Sequence, residues 1–154
     1  MNTDILAPAA ALIVWSIVVL FWMALTRFPA MAKLAKDRGR DKADAAASNP
    51  LAKAKAGARG QDLEGRIPDR VNWKAHNYTH LMEQPTLFYA VVLILALVGP
   101  TSDMIVAAWI YVGLRIAHSL WQGLVNTLPV RFSLFLLSTI ALSYLAVRAL
   151  AMTL

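Results

Sequence analysis

Residues 5–25 read ILAPAAALIVWSIVVLFWMAL, twenty-one consecutive positions without a charged side chain. As an α-helix rising 1.5 Å per residue, the run spans roughly 30 Å, the thickness of the hydrocarbon part of a bilayer. A small soluble domain has no way to bury such a segment on all sides. Lipid accepts it, because a helix satisfies its own backbone polar groups. Pro8 falls close to the start of the run, where its missing N–H is tolerated. The preceding Met1-Asn2-Thr3-Asp4 carries no basic cluster, and the run exceeds the apolar core of a secretory signal, so it reads as a retained span rather than a cleaved leader.

The same character returns three times along the chain. A second helix is expected from Arg70 to Val98, with a polar first half, an apolar second half, Pro85 where the two meet and Asp69 as its N-cap. After the turn Gly99-Pro100-Thr101-Ser102, a third runs from Asp103, again a capping residue, to Leu128. Pro129 ends it, and a fourth follows over 132–152 with Arg148 as its one charge. With 58% hydrophobic residues and a mean hydropathy of +0.54, the chain is too apolar for a soluble globule. The expected fold is all-α: one integral membrane four-helix bundle over 1–154, with helices at about 5–27, 70–98, 103–128 and 132–152 and a long connection over 28–69. A short helical piece is expected around 30–36.

Charge is concentrated in that connection. Twelve of the fifteen Lys and Arg residues lie between Arg27 and Lys74 with six acids, so this segment carries the whole net charge of +6. A basic connection between apolar spans does not imply nucleic acid as a partner. It sets orientation: basic short loops stay cytoplasmic, which puts 28–69 and Arg131 inside and both termini on the opposite side. The chain has no cysteine, which excludes disulfides, thiolate metal sites and a cysteine nucleophile. Thiol chemistry here requires a thiol brought by a substrate.

Ionisable groups inside spans are costly and point to function. His76, His80 and Glu83 stand at i, i+4 and i+7, within about 60° of each other around a helix. Arg115, His118 and Gln122 repeat the pattern on the third helix, with Asn126 a turn further and Arg131 beyond it. Two such stripes imply a polar pocket between helices, open towards the 28–69 side. Three other readings stand beside this one. Glu83 pairing with Arg115 would simply hold two helices together. Arg70, Asn72 and Lys74 suit a headgroup-facing position, as Trp73 suits an interfacial anchor and Trp15, Trp22 and Trp109 lipid or core. His76, His80 and Glu83, with His118 as a fourth, have a spacing suited to zinc or iron.

The run Asn77-Tyr78-Thr79-His80-Leu81-Met82-Glu83-Gln84-Pro85-Thr86-Leu87-Phe88-Tyr89-Ala90 resembles the second-helix signature of the MAPEG family, the membrane-associated proteins in eicosanoid and glutathione metabolism. Tyr111-Val112-Gly113-Leu114-Arg115-Ile116-Ala117-His118-Ser119, followed by Asn126 and Arg131-Phe132, is similar to the third helix of its bacterial branch. The resemblance extends over essentially the whole chain. It implies a homotrimer in which glutathione, as co-substrate, binds between subunits while an Arg near the end of the third helix activates its thiol. Glu83 matches the family Glu and Arg131 is the best match for the activating Arg. The family Asn three positions before the Glu is His80 here, and the Arg seven before it is His76.

Glutathione brings two carboxylates, an ammonium group and a thiol, and a neighbouring guanidinium favours the nucleophilic thiolate. Arg131 or Arg115 suits that role, Arg70 or Lys74 suits a carboxylate, and Glu83 suits the ammonium. The resemblance thus implies Arg131 as catalytic residue, with Arg70, Lys74, His76, Asn77, His80, Glu83, Arg115, His118 and Asn126 as the glutathione-binding set and no resident metal. The implied activity is a transferase or peroxidase acting on lipophilic substrates that enter from membrane lipid, in a bacterial inner membrane. A non-enzymatic trimeric or accessory membrane protein and a His/Glu metal-binding protein are the alternatives.

Overall fold

A computed structural model describes residues 3–40 and 59–154 of the chain. Among these, four helices are long and apolar enough to cross a membrane: α1 (Leu6–Arg40), α2 (Asp69–Val98), α3 (Ser102–Leu124) and α4 (Leu128–Thr153). A single 3-10 turn, Gly60–Leu63, leads into α2, and the described residues contain no strand. The expected all-α bundle is what forms, with three of its boundaries moved.

The first helix does not stop at Arg27. It continues to Arg40, so 28–40 is helix and not loop, and the piece expected around 30–36 is part of α1 itself. Ala30, Met31, Ala32, Lys33, Leu34, Ala35 and Lys36 are all good helix formers. Extending an existing helix also avoids the cost of nucleating a new one. At 35 residues, α1 is roughly 52 Å long and outreaches the hydrocarbon by about 20 Å. The stretch 41–58 of the expected connection lies outside the described residues.

The second displaced boundary is between α3 and α4. α3 ends at Leu124, four residues short of expectation, and α4 begins at Leu128, four residues early. Asn126 causes the break: its φ of 59° is left-handed, a conformation that asparagine tolerates better than most residues. Its N–H and that of Val125 both bond to the Trp121 carbonyl. Pro129 therefore opens α4 in its first turn, where proline is tolerated. Arg131 belongs to that turn and not to the end of α3. The caps also shift: Pro68 and Thr101 hold the N-cap positions, while Asp69 and Asp103 stand in the first turns, still placing a negative charge at a helix N-terminus. Asp103 accepts hydrogen bonds from the hydroxyls of Thr101 and Tyr144, which ties the start of α3 to α4.

α2 and α3 form the centre of the bundle, each touching both α1 and α4. Their buried positions alternate in steps of three and four, the spacing of knobs-into-holes packing. On α2 the seam is Leu81, Pro85, Phe88, Val92 and Leu95. On α3 it is Met104, Ala108, Tyr111, Arg115, His118 and Gln122. Phe88 and Tyr111 stack where the seams meet, with centroids 4.3 Å apart. The α3 seam is mostly apolar up to Val112 and polar from Arg115 onwards, and that change of character positions the site.

Candidate functional site

The polar half of the bundle opens into a cleft of about 570 Å³ at the end where α1 leaves the membrane and α2 begins. Five segments supply its walls. α2 contributes Asn72, His76, Thr79, His80 and Glu83, spaced so that one helical face lines the cleft. α3 gives Gln122, α4 gives Arg131, α1 gives Arg27, and the turn before α2 gives Arg59, Gly60 and Gln61. Three guanidinium-bearing residues and one carboxylate thus face a single space.

The turn is held over the cleft by two contacts. The Arg27 Nη2 donates to the Gly60 carbonyl oxygen at 2.6 Å, and His76 Nε2 meets the Glu64 carboxylate at 2.9 Å. A Cβ on Gly60 would stand 3.1 Å from the Arg27 guanidinium, so glycine keeps this approach open. On the opposite wall, Arg131 Nη1 donates to Asn126 Oδ1 at 2.7 Å. The left-handed residue that ends α3 is therefore also the one that positions Arg131.

A second, buried layer lies beneath the cleft. Arg115, fully buried, donates from Nη2 to the carbonyl oxygen of His80 at 2.8 Å and to His80 Nδ1 at 3.2 Å, and from Nη1 to Gln84 Oε1 at 3.4 Å. Gln84 Nε2 in turn donates to Thr139 Oγ1 of α4 at 2.8 Å. The rings of His80 and His118 stack with centroids 4.9 Å apart, and Phe135 closes against His80 edge-on at 5.4 Å. A buried guanidinium is tolerable only when its donors find acceptors. Here the acceptors of Nη1 and Nη2 are neutral groups on α2 while Nε has none, and the network links α2, α3 and α4 through one side chain.

Of the residues singled out from sequence, His76, His80, Glu83 and Arg131 meet at the cleft. Arg115 and His118 lie under it and reach it through His80, while Asn126 acts on Arg131. Three candidates stand apart. Asn77 is buried and donates to Ser119 Oγ at 2.9 Å, where Trp15 Nε1 also donates at 3.0 Å, so it joins α2 to the α1–α3 contact. Lys74 Nζ donates to the Arg70 carbonyl oxygen at 2.6 Å and lies 5.3 Å from the Trp22 ring. Neither Arg70 nor Lys74 lines the cleft. The pairing of Glu83 with Arg115 does not form either, because the donors of Arg115 go to His80 and Gln84. Nor do three or more of the described His, Asp and Glu residues converge as metal ligands.

The sequence pattern placed Gln122 on the stripe that implied the pocket without including it in the binding set, and it did not assign Arg27, Arg59, Thr79 and Asn72 to the site. Gln122 and Asn72 carry a periodicity signal, since each shares a helical face with assigned residues. Arg27 and Arg59 carry none, because only the packing of the 59–61 turn against α1 at Arg27 brings them to α2.

The chain was compared with known proteins. The model of the MAPEG family matches residues 5–151, nearly the whole chain. A search of curated proteins and a search of solved structures each gave no significant match.

Proposed function

This chain belongs to the MAPEG family, and on that premise we propose that it is a glutathione-dependent enzyme of the bacterial branch, a transferase or peroxidase acting on lipophilic substrates. One observation carries the reading: the two positions that match the family's functional residues, Glu83 and Arg131, come from different helices to the same cleft, in the company of Arg27 and Arg59. Glutathione has two carboxylates for cationic partners and one ammonium group for a carboxylate. Arg27 and Arg59 offer the former and Glu83 the latter, which leaves Arg131 for the sulfur.

In this mechanism the thiol S–H bond breaks, its proton passes to water in the open cleft, and the guanidinium of Arg131 holds the sulfur as thiolate. The thiolate then attacks an electrophilic centre of an apolar substrate that arrives laterally from the bilayer. In a transferase, a carbon–sulfur bond forms while the bond from that carbon to its leaving group breaks, and the leaving group departs with the electron pair. In a peroxidase, the sulfur takes one oxygen of a hydroperoxide, an alcohol leaves, and a second glutathione reduces the sulfenic acid to water and the disulfide. The active form is a homotrimer, and the cleft faces the cytoplasm, where the basic connection is retained.

Calorimetric titration of glutathione into the detergent-solubilised protein tests the reading, with thiolate absorbance in the ultraviolet as second readout. Saturable binding accompanied by a thiolate band is expected at neutral pH. Absence of both removes the enzymatic reading and leaves the accessory membrane protein in its place.

A further inference from the structure

We infer that Arg115 fixes His80 as the neutral imidazole protonated on Nε2, so that His80 meets a ligand in the cleft as a hydrogen-bond donor and not as a base. The ligand's identity rests on the glutathione reading above; the tautomer does not. A guanidinium has donors and no acceptor, so an Arg115 Nη2 lying 3.2 Å from His80 Nδ1 requires the lone pair of Nδ1 to face it. In a neutral imidazole the proton must then be on Nε2. The two hydrogens of Nη2 have two separate acceptors, the Nδ1 lone pair and the carbonyl oxygen of the same residue at 2.8 Å.

Both groups are held in place. Arg115 has no exposed surface, and its other arm reaches Gln84, itself tied to Thr139. The His80 ring stacks on His118 and meets Phe135 at a steep angle, and since His118 and Phe135 are also in contact the three rings form one cluster. Turning the His80 ring over would set a carbon against the guanidinium and leave a buried donor without a partner, which is unfavourable. His80 lines the cleft, and with Nδ1 committed to the interior, Nε2 is the nitrogen that remains for it.

The position where the family pattern has an asparagine is thus filled by a different side chain with the same offer, an N–H directed at the ligand. His80 can hold a thiolate or a carboxylate oxygen. It does not take the proton of the thiol, which leaves to water, so replacing the asparagine keeps a donor in the site and adds no base. Arg115 is a positioning residue: it acts on the ligand only through the ring it orients.

The test is the nitrogen spectrum of the full-length protein in detergent, labelled with 15N-histidine, before and after addition of glutathione. The chain has three histidines, and His80→Asn identifies the signals of His80 by their loss. Without ligand at neutral pH, Nδ1 is expected at the position of an unprotonated imidazole nitrogen and Nε2 at that of a protonated one. A protonated Nδ1, or an imidazolium, overturns the inference. Arg115→Gln should release the ring to average between tautomers; since a buried arginine is a risk to folding, the spectrum of the unsubstituted protein carries the test by itself. Glutathione should then move Nε2 and leave Nδ1 in place. His80→Asn should keep glutathione affinity within about threefold, while His80→Leu should lose about tenfold, roughly 1.4 kcal/mol. Binding that leaves Nε2 unmoved, or a leucine variant equal to the asparagine one, refutes the donor role while glutathione binding stands. The expected tautomer in a protein that binds no glutathione leaves the Arg115–His80 assignment intact, and overturns both the donor role and the glutathione reading.

Discussion

Gly123→Ala sets two known effects against each other at one buried contact. Gly123 lies on α3 where it passes the Trp22 ring of α1, and a Cβ there would stand 2.7 Å from Cη2 and 2.8 Å from Cζ3 of the indole. Carbon atoms pack best at about 3.5–4.0 Å, so the overlap is close to 1 Å. Alanine gains about 1 kcal/mol over glycine inside a helix. Forcing a methyl group into a filled core costs about 1–3 kcal/mol. The balance is a net destabilisation of about 1 kcal/mol, since the ring is also engaged by the Lys74 ammonium 5.3 Å from it and cannot swing away freely. Chemical unfolding in mixed micelles, followed by circular dichroism, measures this directly. Trp22→Phe removes the two clashing atoms, so combining it with Gly123→Ala should cost less than the two single changes added together. A Gly123→Ala protein more stable than its parent, or strictly additive changes, would show that helix propensity governs the site and that the α1–α3 distance does not depend on the glycine.

Further outcomes test the function and the topology. Arg131→Ala should leave the helical content and oligomeric state unchanged while abolishing the thiolate band and lowering turnover at least about tenfold, because the lost charge acts on sulfur. Glu83→Gln should instead weaken glutathione binding and leave the band of the bound fraction in place. Lys33→Cys, in a chain without other cysteines, should react with an impermeant maleimide in inside-out vesicles and not in right-side-out ones; the reverse pattern overturns the orientation. Native mass spectrometry from mild detergent should give the mass of a trimer, and a monomer there would count against the assembly that the mechanism requires.

The fold was legible because its determinants are long and local. Four helices, each long enough and on average apolar enough to cross a bilayer, leave little choice of architecture, and the three-and-four spacing of the polar residues pointed to α2 and α3 as the walls of a polar pocket. The boundaries were less legible where a signal had two meanings. Charged residues after Arg27 suggested a loop, but Ala-Met-Ala-Lys-Leu-Ala-Lys is also a strong helix, and continuation from α1 decides in its favour. Pro129 looked like the end of one helix and is the start of another, because Asn126 had already turned the chain. Within the site, periodicity shows which face a residue occupies but not how deep it lies. The family resemblance put Asn77 beside His76 and His80 as candidates, although Asn77 faces Ser119, and periodicity gave no sign that Arg115 reaches past Glu83 to a backbone carbonyl. Arg27 and Arg59 were invisible to it, as contacts between distant segments leave no local pattern.

The α3 seam has a consequence for anyone who wishes to alter this protein. Met104, Ala108, Tyr111, Arg115, His118 and Gln122 are one continuous row of knobs, so the groups beneath the cleft are also the teeth that set how far α3 slides along α2. Chemistry and alignment are geared together. Exchanging Arg115 or His118 for a residue of another size would shift the pitch of the whole row, and Phe88 against Tyr111, a full turn away, would register the change. A redesign aimed at a new substrate should therefore begin at residues such as Gln61 and Thr79, which border the cleft without belonging to that row or to the proposed thiol chemistry, and leave the row as cut.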